Sequence, residues 1–143
     1  MNVYGPTSLG SSEGVIPSFI RRIKAGRPLT IYGRGDQSRD FVHVSDVVES
    51  IILATRTKAC RSDVFNVGTG IPTTIEGLVG LLRKLLSKDL RVRHLPARKG
   101  DVKMSYANVD KAARVLGFKP KVRVQDGVAD LLKREELTTL RDS

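Results

Sequence analysis

The chain has no tryptophan, a single cysteine, only two histidines and 5% aromatic residues, and each shortage removes a class of function. Cys60 alone cannot form an internal disulfide, and neither His43 nor His94 is near it in sequence. A zinc site is therefore not expected, and Cys60 reads as a bystander. Scarce aromatics leave no platform for stacking the successive bases of a nucleic acid, and no helix-turn-helix or zinc-finger signature is present. No apolar run approaches the roughly 20 residues of a membrane span, and the N-terminus has neither a basic n-region nor an apolar h-region. The expected compartment is the cytoplasm, with no membrane partner. Acidic residues are also short, 15 Asp and Glu against 25 Lys and Arg, for a net charge of +10. Such a balance suits polyanions, yet the cations are dispersed from Arg21 to Arg123 instead of forming one stripe. Nucleic acid is not the expected partner, and a basic pocket for an anionic small molecule accounts for part of the excess.

What is present fits one α/β domain. At 143 residues, 40% hydrophobic and 28% charged, the chain can bury a modest core and is not a disordered tail. Asn2 to Tyr4 is expected to end a strand closed by Gly5 and Pro6, with Thr7 to Glu13 a polar loop. Val15, Ile16, Phe19, Ile20 and Ile23 recur with helical period, and Gly26 and Pro28 supply the stop. A strand over Leu29 to Tyr32 leads into a Gly33 to Gln37 turn, and Phe41 to Val44 gives another strand. Ser45 or Asp46 is expected to cap a helix whose Val47, Val48, Ile51, Ile52 and Thr55 form one face. Val64 to Val67 reads as a buried strand, and Thr73 with Glu76 as a capping box before a helix packing through Ile75, Leu78, Val79, Leu82 and Leu86. Leu90 to Leu95 alternates like an edge strand. A helix from about Val109 ends at Gly117, and Val124, Val128, Leu131 and Leu132 mark a last one. Residues 1–135 form the expected domain, and 136–143 a frayed tail.

Chemistry concentrates in the segment from Gly33 to Asp46, GRGDQSRDFVHVSD, and in PARKGD, Pro96 to Asp101. Together they set Arg39 and Arg98 beside turn and strand residues instead of on a solvated helix face. A guanidinium in that setting can grip phosphate oxygens through paired, charge-assisted hydrogen bonds, and a diphosphate needs two such forks. The alternative is that Arg39 and Arg98 are surface residues paired with Asp40 and Asp101. Gly68-x-Gly70, between a predicted strand and a helix, mimics a dinucleotide-binding turn, but Thr73 stands at the third glycine position and Asp89 precedes the next predicted strand. The Arg34-Gly35-Asp36 tripeptide is discounted as chance.

NVYGP (Asn2 to Pro6), GVIPSFI (Gly14 to Ile20), the G-x-G-x-x-x-RDFVHVSD block, FNVGTG (Phe65 to Gly70), R-x-GD (Arg98 to Asp101) and LGFKP (Leu116 to Pro120) occur in an order and spacing that resemble one family. It is the NAD-dependent nucleotide-sugar epimerases and dehydratases, extended short-chain dehydrogenase/reductases. The likeness is greatest to the UDP-glucose 4-epimerase branch and runs from Asn2 to about Leu132. Its motifs are specific as an ordered set and weak singly. The resemblance implies an α/β C-terminal substrate-binding portion of a Rossmann-type enzyme, without its N-terminal dinucleotide-binding half. That half carries the glycine-rich cofactor turn and a Tyr-x-x-x-Lys pair. Here Tyr4, Tyr32 and Tyr106 are followed four residues later by Ser8, Asp36 and Asp110. The parent enzyme is thus expected to use NAD, and this chain alone is expected to bind none and to carry no catalytic residue. A separate Rossmann-half chain is a further expected partner. Which hexose is bound, and whether epimerisation or dehydration follows, stays open.

The ligand implied is a UDP- or dTDP-hexose. By resemblance, Asn2 contacts the nucleotide sugar, and Gly14, Val15 and Ile16 offer backbone groups at a helix entry, where free N–H groups favour phosphate. Close epimerases often have asparagine at the position of Gly14. Thr30, Ile31 and Tyr32 lie along the base, with a core-strand role open for Ile31. Arg39 and Arg98 match the diphosphate clamp, and Asp101 the acceptor for the ribose hydroxyls; orienting Arg98 is its alternative role. Asn66 is a secondary contact, and Ser105 stands where some relatives place a tyrosine against the sugar. His43 is expected to pack in its strand.

Overall fold

The computed structural model describes residues 1–6, 14–58 and 62–137. The expected loop at 7–13, Cys60 and the tail at 138–143 lie outside the described residues. Eleven elements follow in the order β1 (Asn2–Tyr4), α1 (Val15–Lys24), β2 (Leu29–Tyr32), β3 (Ser38–His43), α2 (Val44–Arg56), β4 (Pro72–Thr74), α3 (Ile75–Leu86), β5 (Val92–Leu95), β6 (Met104–Ser105), α4 (Asp110–Leu116) and α5 (Val124–Arg134). No helix among the described residues is long and apolar enough to cross a membrane.

Strand β3 is the hinge of the architecture because its two halves pair differently. Phe41 to His43 run parallel to β1, while Ser38 to Asp40 run antiparallel to β4. On the same first half, Ser38 and Arg39 take Met104 and Ser105 of β6 as parallel partners. A separate parallel pair joins β2 to β5 in the register Leu29 with Val92 through Tyr32 with Leu95.

The main core gathers Ile16, Phe19 and Ile20 of α1, Leu29 and Ile31 of β2, Leu78, Val79 and Leu82 of α3, and Val128, Leu131 and Leu132 of α5. Their spacing is that of single helix faces and alternate strand positions. A smaller cluster forms around Ala112, Leu116 and Phe118, with Leu53 and Ala54 against it. Helix α1 stops where the sequence predicts. Gly26 takes φ 61°, Arg27 donates its N–H to Arg22 O and Gly26 to Ile23 O, the two bonds of a Schellman closure. Helix α5 closes in the same way through Leu137 N–H to Leu132 O, and Leu137 packs on the core. Glu136 and Leu137 are therefore part of that closure and not of a frayed tail.

Four local expectations are corrected. Val64 to Val67 forms no strand and has no ladder partner among the described residues, and Val64 is 81% exposed. The α3 cap is Thr74, not Thr73; its hydroxyl accepts the Gly77 N–H at 3.0 Å. Helix α2 is capped by His43, whose ring nitrogen accepts the Ser45 N–H, and not by Ser45 or Asp46. Asp46 is instead buried, accepting the N–H groups of Lys121 and Val122. Consequently the expected apolar face of α2 is turned outward. Val48, Ile51 and Ile52 are exposed, whereas the buried positions are Asp46 and Ser50. Hydrophobic period alone cannot register a polar side chain that enters the interior with its hydrogen bonds satisfied.

Candidate functional site

Strand β2 ends at Tyr32, and the chain turns through Gly33 (φ 71°) and Gly35 (φ 79°) before β3 begins. The turn is tied down from two sides. Gln37 Nε2 donates to Tyr32 O at 2.9 Å, and the first amides of α3, Ile75 and Glu76, donate to Gln37 O and Gly35 O. These amides would otherwise be unsatisfied at a helix start. Gly35 is also crowded, since a Cβ there would lie 3.3 Å from Ile31 Cγ2.

Across the turn, the segment after β5 folds back, with Asp101 N–H on Arg98 O and Ser38 N–H on Lys103 O. Arg39 reaches over and joins the two segments. Its guanidinium donates to Val102 O at 2.6 Å and to Ser38 O at 2.8 Å, and it forms an ion pair with Asp101. Arg98 lies over Tyr32, its central guanidinium carbon 3.8 Å from the ring centroid.

These groups surround a cleft of about 170 Å³ lined by Asn2, Val15, Thr30, Ile31, Tyr32, Gln37, Arg39, Ile75, Arg98 and Asp101. A second hollow of about 310 Å³ shares Tyr32, Gln37, Arg98 and Asp101 and adds Arg34, Asp36 and Lys103. Within it, the hydrogen bond from Arg34 holds the Asp36 carboxyl below the usual carboxylate range. The combined surface is a basic trough with one aromatic face and few carboxylates, able to receive an extended anion carrying a planar group.

Of the residues named from sequence, Asn2, Val15, Thr30, Ile31, Tyr32, Arg39, Arg98 and Asp101 come together on this cleft. Ile31 is nevertheless a core side chain at 1% exposure, as is Ile16 at 2%. Gly14 stands exposed at the mouth of α1 with φ 90°. Asn66 lies elsewhere, its amide donating to Asn108 O at 3.4 Å, and Ser105 is in β6 beside Arg39. The ion-pair alternative is corrected in its partners. Arg39 pairs with Asp101, not Asp40, because neighbours along a strand point to opposite faces, and Arg98 sits on Tyr32.

Asp40 therefore faces away from the cleft, and it is fully buried. Its carboxylate accepts the N–H groups of Thr69, Gly70 and Ala107 and the Thr69 hydroxyl. Sequence reading missed this anchor, and it missed Gln37, which lies just before β3 and lines the same cleft as Arg39. The Asp40 contacts also settle the Gly68-x-Gly70 mimic. Cofactor-binding turns offer free amides to a pyrophosphate, but here the Thr69 and Gly70 amides are committed to Asp40. A Cβ at Gly68 would lie 2.5 Å from Asp40 Oδ2, so the space beside that glycine is already filled. The turn does not fit NAD. Among the described residues no group of His, Cys, Asp and Glu could hold a metal ion.

Comparison with known proteins finds similarity to one enzyme family. The model of the NAD dependent epimerase/dehydratase family matches residues 1–68. A UDP-glucose 4-epimerase of Mycolicibacterium smegmatis is 35% identical over 90% of this chain and 41% of its own length. The structure of UDP-glucose 4-epimerase from Thermotoga maritima with UDP-glucose superposes with a TM-score of 0.85 at 35% identity, over 94% of this chain and 44% of that one. UDP-glucuronic acid 4-epimerase from Bacillus cereus, in complex with UDP-glucuronic acid and NAD, gives a TM-score of 0.84 at 28% identity, over 94% and 43%. The chain spans about two-fifths of the length of the curated relatives it matches. It is homologous to a fragment of these nucleotide-sugar epimerases and dehydratases, and its α/β fold matches part of their structures.

Proposed function

We propose that this chain is the C-terminal, nucleotide-sugar-binding portion of an NAD-dependent 4-epimerase of the UDP-glucose/UDP-galactose type, catalytically incomplete as it stands. The observation that carries the reading is the convergence of Arg39 with Arg98 and Asp101, which lie far along the chain from it, on one cleft beside β2. In this reading a UDP- or dTDP-hexose lays its base along Thr30 to Tyr32, its diphosphate between the two guanidinium groups, and its ribose hydroxyls against Asp101. Asn2 and the backbone at Gly14, Val15 and Ile16 border the remainder, with Ser105 and Asn66 as outlying contacts. A guanidinium has five donors, so Arg39 can keep its backbone bonds while exchanging the Asp101 carboxylate for phosphate oxygens.

The task assigned to these residues is anchoring. Binding energy concentrated on base and diphosphate holds the ligand while leaving the hexose free to present either face. Proton and hydride transfer are left to the portion of the parent enzyme that would hold NAD. Support for a docking partner of that kind comes from the outward apolar groups Val3, Val48, Ile51 and Ile52. They lie on β1 and α2, and β1 pairs with β3 alone among the described residues.

Calorimetric titration with UDP tests the proposal. Arg39→Ala should weaken binding by about 2–5 kcal/mol, the cost of removing one partner of a desolvated charge pair. Unchanged affinity overturns the assignment. The net charge of +10 favours a second reading, an orphan basic module docking a polyanion or protein partner. That reading requires steep salt dependence and no preference for UDP over inorganic phosphate, which a competition titration at moderate salt decides.

A further inference from the structure

Among the described residues, Tyr32 is the only aromatic one lining either the cleft or the adjoining hollow. One face of its ring is covered by the Arg98 guanidinium at 3.8 Å, a stacking distance. Arg98 forms no ion pair among the described residues, where Asp101 is paired with Arg39, so no carboxylate there holds it over the ring. The same guanidinium faces the cleft where Arg39 and Asp101 converge. A planar base can stack on an aromatic face of this kind, and an anionic diphosphate can pair with the guanidinium. In this arrangement one group hides the other.

We infer that Arg98 is a specificity-determining residue that keeps the Tyr32 face closed to bases until a diphosphate draws it away. The inference rests on the proposed nucleotide-sugar site and extends it. An exposed cation such as Arg98 stacked on a half-buried ring is held weakly, whereas charge-assisted bonds to phosphate oxygens are stronger and directional. A ligand carrying both base and diphosphate therefore supplies the force that uncovers its own platform. A nucleoside alone must displace Arg98 without compensation. Because binding coupling is reciprocal, diphosphate and base each raise the affinity for the other even when they are separate molecules.

The consequence has opposite signs for two ligands, which makes it separable from a general weakening of the site. Arg98→Ala removes a phosphate contact and the cover together. UDP should bind this variant more weakly than wild type, while uridine should bind it more tightly, on the order of two- to five-fold, the factor that a weak stacked cation is worth. In the wild-type chain, saturating inorganic pyrophosphate should raise uridine affinity by a similar factor.

The experiment is an NMR chemical-shift titration of wild type and Arg98→Ala with UDP, with uridine, and with uridine in the presence of pyrophosphate. Tyr32 ring resonances report stacking directly, which a purely structural role for Arg98 would not move. Tighter uridine binding by the variant, together with enhancement by pyrophosphate in wild type, supports the inference. If wild type binds UDP but uridine affinity is the same or lower in the variant, the gate is overturned and the nucleotide-sugar site stands. If wild type does not bind UDP, both fall.

Discussion

Replacing Asp40 by alanine should be the most damaging single change beside the site, although Asp40 does not touch the cleft. Its carboxylate is fully buried and collects four donors, from the Thr69 amide at 2.9 Å, the Thr69 hydroxyl at 2.5 Å, the Gly70 amide at 3.0 Å and the Ala107 amide at 3.2 Å. Removing it leaves the Ala107 N–H without an acceptor in a residue only 4% exposed. One such orphan costs about 1–3 kcal/mol. The Thr69 and Gly70 donors are part-buried, so water replaces their bonds incompletely, and the combined loss is about 3–5 kcal/mol. For a domain of this size that lowers Tm by roughly 10 °C. Asp40→Asn should also destabilise, since its amide hydrogens would oppose N–H groups. Urea unfolding and thermal melts followed by far-UV circular dichroism measure both variants. A loss below about 1 kcal/mol for Asp40→Ala would refute the reasoning, because it would mean the four donors find other acceptors.

Three further outcomes follow from burial and charge. Burial beside Asp46 and Asp126 pushes the Tyr4 phenol above its ordinary value of 10.0. The folded chain then keeps a proton that the unfolded chain releases, so this contribution is complete below about pH 10 and declines as pH rises toward the folded value, by up to about 1.4 kcal/mol per pH unit. Tyr4→Phe should lose less stability than wild type between pH 10 and 11 in urea titrations; equal losses would count against it. Leu78→Ala, at 0% exposure, should cost about 2–5 kcal/mol. Ile51→Lys, at 58%, should cost less than about 0.5 kcal/mol, and a large cost would mean that the outward face of α2 is covered in solution.

Local pattern fixed much of the fold. The helices α1, α3, α4 and α5 and the strand β2 are legible because apolar period, capping residues and a terminal glycine or αL residue act within a few residues of one another. Gly26 and Gly117 take φ of 61° and 68° at the two helix ends where the sequence places them. The candidate site was legible in its membership for a different reason. Arginines beside turn glycines, in an ordered set of motifs, single out Arg39, Arg98 and Asp101 without any knowledge of how they meet.

The sequence by itself determined the helices, their inner faces apart from α2, and the basic character of the trough. Only the tertiary structure decided who pairs with whom. Arg39 selects Asp101, 62 residues away, over the adjacent Asp40. Strand alternation sends Asp40 to the opposite face, and the return of the chain after β5 brings Asp101 within reach. The outward side of α2 and the short strands β4 and β6 have the same origin. Each depends on which distant backbone group is available to a polar atom, and that availability is a property of the packed chain and not of any segment of it.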